Sequence, residues 1–365
     1  MVLQAYESLP YATAVWVWDN SATAYINNTV ESQIPGGTAF SIFEDTADYL
    51  YIGLQSRFDL VAFLLAVAGT VGTVRVDFYD GAWTRTNPRT VFDFTYTAGA
   101  VPIENPVSWT TLAFAAGTPH APAPPDTATR YWIRLSVSST TTAPTVNQII
   151  IRPFARYANP TDIFTALQMR ADFSSSTTPT RNTVEDFIRK VQSNIDYVSR
   201  KSWRINWVQD EEYDFNHQGI RLLRRDLVAV GRMQMWNGAQ YDTLTQGRQN
   251  DYFAVNELGM IYFPRYFIFP ARLASSISVY QWGFGEFKTP VRVSYLWGRD
   301  LETDRQGFFV RDLAIKMAAV DIYLTHDYSI ITNSGVDRVS LERKIENWKY
   351  HTEEALESLR SWEVI

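Results

Sequence analysis

The chain has 365 residues, a mass of 41.8 kDa, no cysteine and a formal charge of −6. That length allows two domains of ordinary size, and the lack of cysteine excludes disulfides, thiol nucleophiles and cysteine-held zinc, so the fold must rest on packing. With a pI near 5.4, bulk attraction to nucleic-acid phosphates is excluded, although an acidic wall beside DNA stays open.

The N-terminus, MVLQAYESLPYATAVWVW, has no basic stretch followed by a long apolar one, and the longest apolar run, LVAFLLAVAG at 60–69, is about half a bilayer span. The expectation is a protein made and kept in the cytoplasm, with no membrane partner. Aromatic residues make up 15% of the chain, twelve of them Trp, against 20% charged residues. Such an excess fits large buried contacts, where Trp and Tyr dominate.

Residues 1–160 hold eight Arg, no Lys and twelve acids, whereas 161–365 hold 25 basic and 27 acidic residues. The first part carries period-two runs such as TVRVDFYDG (73–81), TVFDFTYTAG (90–99), YWIRLSVSS (131–139) and VNQIIIRPFA (146–155). Short alternating strands between Gly, Pro and Asn turns predict an antiparallel β-sandwich over 1–160, jelly-roll or immunoglobulin-like. Trp83, Trp109 and Trp132 read as plugs of its core. TPHAPAPPDTATR (118–130) reads as a surface excursion.

ARYANPTDIF (155–164) and ADFSSSTTPTRNT (171–183) read as connectors around a short helical piece, which places a linker at 161–182. A helix follows over 183–203, with Val184, Phe187, Ile188, Val191, Ile195 and Val198 on one face, Asn182 or Thr183 as cap, and Glu185 and Asp186 at its positive end. A β-rich insertion over 204–297 comes next, with an NG turn at 237–238 as its clearest hairpin signal.

Two helices close the chain. The one near 307–327 is apolar on nearly all sides, as a helix packed among neighbours should be. The one near 337–362 sets Leu341, Ile345, Trp348, Thr352, Ala355, Leu359 and Trp362 at alternating spacings of four and three. This is a heptad seam weakened at Thr352 and Ala355. It fits equally a helix lying on its own domain and one touching a neighbouring subunit.

Catalytic patterns do not assemble. His120, His217, His326 and His351 show no HxxxH or HExxH spacing, and His326 with Asp327 suits a helix end. GFGEF (283–287) has no following Lys-Ser/Thr and reads as a turn. Glu211 and Glu212 are adjacent, which does not make two acids converge in a cleft as glycoside hydrolysis requires. Glu44, Asp45 and Asp48 have the chemistry of a structural cation loop. The expectation is no enzyme, no cofactor and no metal. Arg221, Arg224 and Arg225, and Arg200, Lys201 and Arg204, are the positive clusters, either solvated or set against an acidic partner.

VEDFIRKVQSNIDYVSRKSW, then a β-rich insertion, then VRVSYLWG leading into FVRDLAIKMAAVDIYLTHD, resembles the head-to-tail adaptor (connector) proteins of tailed bacteriophages. The resemblance is carried by Phe187, Ile188, Ile195, Asp196, Ser199, Lys201, Ser202 and Trp203, then Tyr295, Gly298, Ala314, Ala318, Ala319 and Leu324, and it covers roughly 180–330. The first part is similar to sandwich modules that decorate phage virions. The resemblance implies a multi-domain α+β chain: a sandwich module at 1–160, then an adaptor-like domain at 183–365 of about three helices with the β insertion. It implies a structural virion protein of the head-tail neck, assembled in the host cytoplasm. Its subunits would form a homo-oligomeric ring, a dodecamer, that docks to the portal and to a downstream neck, stopper or tail protein and passes double-stranded DNA through its channel. Leu341, Ile345, Trp348, Leu359, Trp362, Arg200, Lys201 and Arg204 are then the candidate subunit or portal interface. The alternative is a baseplate or tail-fibre-associated protein binding host glycans through the sandwich, with Trp16, Trp18 or Trp83 stacking on sugar rings.

Overall fold

The computed structural model describes residues 14–34, 37–86, 92–103, 111–112, 128–169, 172–214, 219–236, 240–264, 291–325 and 338–361. It is mixed α+β, as the sequence predicts, with several antiparallel sheets and, among the described residues, four α-helices. The chain forms two compact units, Met1–Ile151 with Ile205–Gly298 and Arg152–Arg204 with Arg299–Ile365.

The β unit begins with β1 (Ala14–Asp19), β2 (Ala24–Asn27), β3 (Phe40–Ser41), β4 (Tyr49–Leu54), β5 (Phe58–Val67), β6 (Thr70–Val71) and β7 (Val74–Tyr79). It continues with β8 (Trp83–Thr86), β9 (Ala98–Pro102), β10 (Thr111–Leu112), β11 (Arg130–Val137), β12 (Thr140–Thr142) and β13 (Thr145–Pro153). One sheet runs β2-β1-β4-β11-β7-β8, with β10 also on β11; the other runs β3-β13-β5-β9, and β6 pairs β12. Val15, Val17, Leu50, Ile52, Val76, Phe78, Ile133 and Leu135 from the first sheet meet Val61, Phe63, Val101, Ile149 and Ile151 from the second in one buried core. Two sheets sharing a core through alternate residues make the predicted sandwich.

The second sheet is apolar on both faces, which explains the long run at 60–69. Leu60, Ala62, Ala98, Ala100 and Ile150 point away from the sandwich core and pack against Ile205, Val228 and Leu296. Those partners belong to the insertion, whose strands are β14 (Asn206–Tyr213), β15 (Ile220–Arg221), β16 (Leu227–Trp236), β17 (Tyr241–Thr243), β18 (Phe253–Val255), β19 (Met260–Tyr262) and β20 (Val291–Trp297). They form sheets β14-β20-β16-β17 and β15-β19-β18 over their own core. The compact units therefore divide the chain differently from the sequence boundaries: the insertion groups with the sandwich, because that face of β5, β9 and β13 needs an apolar cover. β16 and β17 pair around the expected turn, Trp236 opposite Tyr241, while 237–239 lie outside the described residues.

The helical unit contains α1 (Pro160–Ala166), α2 (Arg181–Ser199), α3 (Gly307–Thr325) and α4 (Arg338–Ser361). The expected linker is part of its core, since Ile163, Leu167 and Phe173 are buried with Val184, Ile188, Val191 and Ile195, as is Tyr157 just before it. Helix α2 starts two residues earlier than the cap assignment to Asn182 or Thr183: Thr180 is the N-cap, its Oγ1 accepting from the Thr183 N–H at 3.2 Å. Such a cap contributes about 1 kcal/mol. Val310, Leu313, Ala314, Ala318, Ala319 and Ile322 of α3 are buried between the other helices, and its small residues let neighbours come close. Among the described residues no helix is long and apolar enough to cross a membrane.

Gly231 on β16 marks where the insertion meets the sandwich most tightly. A Cβ there would sit 2.0 Å from the Ala98 carbonyl oxygen, and the Gly231 carbonyl accepts from Thr97 N–H at 3.3 Å and Thr97 Oγ1 at 3.2 Å. Gly231→Ala should therefore cost about 2–3 kcal/mol by forcing the backbones apart, read as a lower urea midpoint. An unchanged midpoint would show that the contact is not tight.

Candidate functional site

Three residues of the adaptor-like pattern, Asp196, Ser202 and Trp203, converge on one buried side chain that the sequence does not single out. The Tyr157 hydroxyl donates to Asp196 Oδ1 and accepts the Trp203 backbone N–H at 2.6 Å. The other Asp196 oxygen accepts from Ser202 Oγ at 3.1 Å and from Arg204 Nε at 2.9 Å. Trp203 Nε1–H reaches Asp304 Oδ2 at 3.1 Å, which also pairs with Arg299 at 2.9 Å. Gln192 accepts the Tyr157 N–H at 2.7 Å and donates to the Phe154 carbonyl at 3.0 Å. Arg156 and Asp300 pair at 3.2 Å. Tyr157 falls in a segment that reads as a connector and has no periodicity, so no local signal marks it.

Burial sets the charges here. It holds the Asp196 carboxyl above its ordinary value despite Arg204, and pushes the Tyr157 phenol well up. It also lowers Arg156 against the opposing pull of Asp300.

The candidate interface residues divide. Arg204 is taken by Asp196 and mostly buried, so it is not a free cation. Arg200 closes α2 in the left-handed conformation at φ 54° and is exposed, with Lys201 half-buried beside it. Ile345 and Leu359 are buried in the helical unit's own core, and Trp348 packs partly against it under Lys344 Nζ, 4.6 Å from the ring centre. That much of the seam faces its own unit, because α2 and α3 present apolar faces to it. The Leu341 side chain and Trp362 lie outside the described residues.

Between α3 and α4 lies a groove of ≈ 500 Å³ lined by Phe309, Asp312, Leu313 and Lys316 on one side and His351, Thr352, Glu354, Ala355 and Ser358 on the other. Thr352 and Ala355, the small members of the seam, leave that gap. Tyr197 on α2 is 84% exposed and Phe308 on α3 83%.

On the sandwich, the face of the larger sheet away from the core is aromatic. Trp16, Tyr51, Arg134, Asp77 and Arg85 stand opposite one another across five strands, with Tyr25, Trp18 and Tyr49 in the adjacent row. Arg134 pairs with Asp77 at 2.8 Å, and its guanidinium lies 4.9 Å from the Tyr49 ring centre and 4.8 Å from that of Trp83. Trp18 is only 4% exposed, buried with Tyr51 and Trp132, whereas Trp16 and Trp83 are half-buried. Trp132 and Trp83, expected in the sandwich core, belong instead to this outer cluster, since their strand positions alternate away from the core, and Trp18 is buried there rather than open for stacking. Trp109 lies outside the described residues.

The remaining candidates have local partners. Glu211 accepts from the Tyr213 and Tyr295 hydroxyls, the latter at 2.6 Å, while Glu212 pairs with Arg292 at 2.8 Å. The two carboxylates therefore leave β14 on opposite faces. Asp48 accepts the backbone N–H groups of Asn20 and Asp45 at 2.9 and 2.8 Å, so its carboxylate pins a turn. Among the described residues no three His, Cys, Asp or Glu side chains are placed to hold a metal ion. Arg221, Arg224 and Arg225 are exposed, Arg224 over the Trp297 ring at 5.2 Å. His120, His217, His326 and GFGEF lie outside the described residues.

No family model matches the chain, and no curated protein matches it. Among solved structures it is similar to a chain of one described as the neck of an empty GTA particle computed with C6 symmetry, at 11% identity and a TM-score of 0.30, over 52% of this chain and 87% of that one. A likeness at that score decides nothing about this chain's function.

The junction at Tyr157 makes two measurable claims. Asp196→Asn leaves one acceptor oxygen for the Tyr157, Ser202 and Arg204 donors together and should cost about 1–3 kcal/mol. Because the folded chain holds the Asp196 proton to higher pH than the unfolded chain, that group's stabilisation is full below about pH 4 and fades as pH rises through the folded value. The native advantage over Asp196→Asn should accordingly be larger at pH 4 than at pH 7 in urea titrations; a smaller one would contradict the raised value.

Proposed function

We propose that the chain is a structural subunit of a tailed-phage-type virion, a ring-forming head-to-tail adaptor that docks to the portal and continues the DNA channel. The observation that supports this most directly is the use made of the adaptor-like motif. Asp196, Ser202 and Trp203, three of the residues that carry the resemblance, are the ones that close the helical unit on Tyr157. In this reading the chain works by contact rather than catalysis and uses no cofactor.

Its partners are copies of itself, the portal above, and a neck, stopper or tail protein below. The charge of −6 keeps a channel wall from holding DNA phosphates, so DNA passes without sequence-specific binding. Negative-stain imaging of the purified full-length protein, alone and with portal, is the test. Closed rings, twelvefold in the strong form, and a portal complex are expected; a monomer at every concentration that ignores portal would overturn the reading.

The aromatic outer face of the sandwich favours a second reading, glycan binding, because half-buried rings beside a fixed guanidinium match the C–H faces and hydroxyls of sugars. Glycan-array binding by the full chain, lost in a Trp16→Ala and Trp83→Ala double variant, would support it. Silence on the array, or binding that survives the double variant, would remove it.

A further inference from the structure

The outer face of the larger sheet is basic as well as aromatic. Trp16, Tyr51, Arg134, Asp77 and Arg85 form one row across it. Arg75 lies two residues before Asp77 on β7 and Arg130 four before Arg134 on β11, so strand alternation returns both to the same face. Among the described strand residues of that face, four arginines therefore meet one acid, Asp77.

Asp77 does not cancel the two cations beside it. It lies 2.8 Å from Arg134 Nε and 3.7 Å from Arg85 Nε, so one carboxylate serves two guanidinium groups. Arg134 uses its Nε–H on Asp77, and among the described residues neither Nη1 nor Nη2 bonds a carboxylate or is sealed from solvent. The Arg85 side chain is 57% exposed. Asp19, Asp45 and Asp48, at the β1–β2 end of the sheet, are engaged in turns by the N–H groups of Ala22, Ala47 and Asn20.

The Arg134 guanidinium is also fixed in place. Tyr49 and Trp83, whose ring centres lie 4.9 and 4.8 Å from it, come from the rows on either side of its own. A planar fork held between rings suits a flat anion, and a carboxylate takes two parallel N–H groups from such a fork. Trp16 and Trp83, half-buried on the same face, suit the C–H faces of sugar rings. Hydroxyls alone do not call for cations in excess of carboxylates. An acidic sugar supplies the missing negative charge and the apolar faces together.

We infer that this face binds an acidic glycan, one bearing uronate-type carboxylates, with a carboxylate on the Nη edge of Arg134 beside Arg85 and sugar rings along Trp16 and Trp83. The inference rests on the glycan reading above and names its ligand class. Bonds from a guanidinium to a carboxylate are about twice as strong as neutral ones, so the charge sets the preference among glycans that the rings can hold.

The experiment presents the full-length chain with uronate-bearing glycans, oligogalacturonate among them, each beside its carboxyl-reduced neutral form, with sulfated and phosphorylated glycans alongside. The uronate forms should bind at least about tenfold more tightly than their reduced counterparts, a comparison that needs no variant. Arg85→Gln, at an exposed position, and Arg134→Lys, which keeps the charge and loses the fork, should each remove most of that preference while the reduced forms bind as before; thermal melts check the fold. If no glycan of any form binds, the glycan reading fails and this ligand class with it. If acidic and reduced forms bind equally, or the preference survives both variants, the glycan reading stands and the acidic ligand at Arg134 is wrong. Binding confined to sulfated or phosphorylated glycans would overturn the carboxylate in the same way.

Discussion

The helical unit depends on a buried polar junction centred on Tyr157. The chain enters this unit at 152, leaves it at 204 and returns at 299, and segments beside all three crossings are fastened to one another. Tyr157 takes the Trp203 N–H, Trp203 reaches Asp304, Arg156 reaches Asp300, and the Arg299 N–H meets the Ser202 carbonyl at 2.7 Å. A buried ion pair such as Asp196 with Arg204 adds little net stability against an apolar substitute, but removing one partner costs several kcal/mol. The junction lies where the chain leaves the helical unit for the β insertion and returns from it.

The β unit is organised by a different constraint, the apolar character of both faces of one sheet. Leu60, Ala62 and Ile150 would stand in water if the insertion were absent, so Val228 and Leu296 belong beside them. Small residues make the approach close, Ala98 and Ala100 on one side and Gly231 on the other. The other sheet solves the same problem in another way: its outer face carries Trp, Tyr, Arg and Asp, which tolerate partial contact with water.

Packing occupies the inward residues of α4, Ile345 and Leu359 among them, and leaves its opposite face and the groove beside Thr352 and Ala355 open to water. The positive cluster at the end of α2 divides in the same manner. Arg204 serves the junction, while Arg200 and Lys201 remain at the surface, because the left-handed turn at Arg200 ends the helix and sends the chain inward at Ser202 and Trp203.

Local pattern was enough for much of this. Alternation and turns made the sandwich strands legible, the 3.6-residue period placed α2 near its actual span, and apolar residues on nearly all sides of 307–327 marked a helix packed among neighbours. The heptad spacing of α4 showed which face is apolar. Local pattern did not show what each face meets, since periodicity records a need for burial without naming the partner. Only the tertiary structure decided that the insertion covers the sandwich, that Trp18 and Trp132 lie on the outer face, and that Tyr157 in an apparent connector is the hub of a buried network. The reason is distance along the chain: Tyr157 and Trp203, or Ala98 and Gly231, come together through packing across dozens of residues. A sequence window records no such approach.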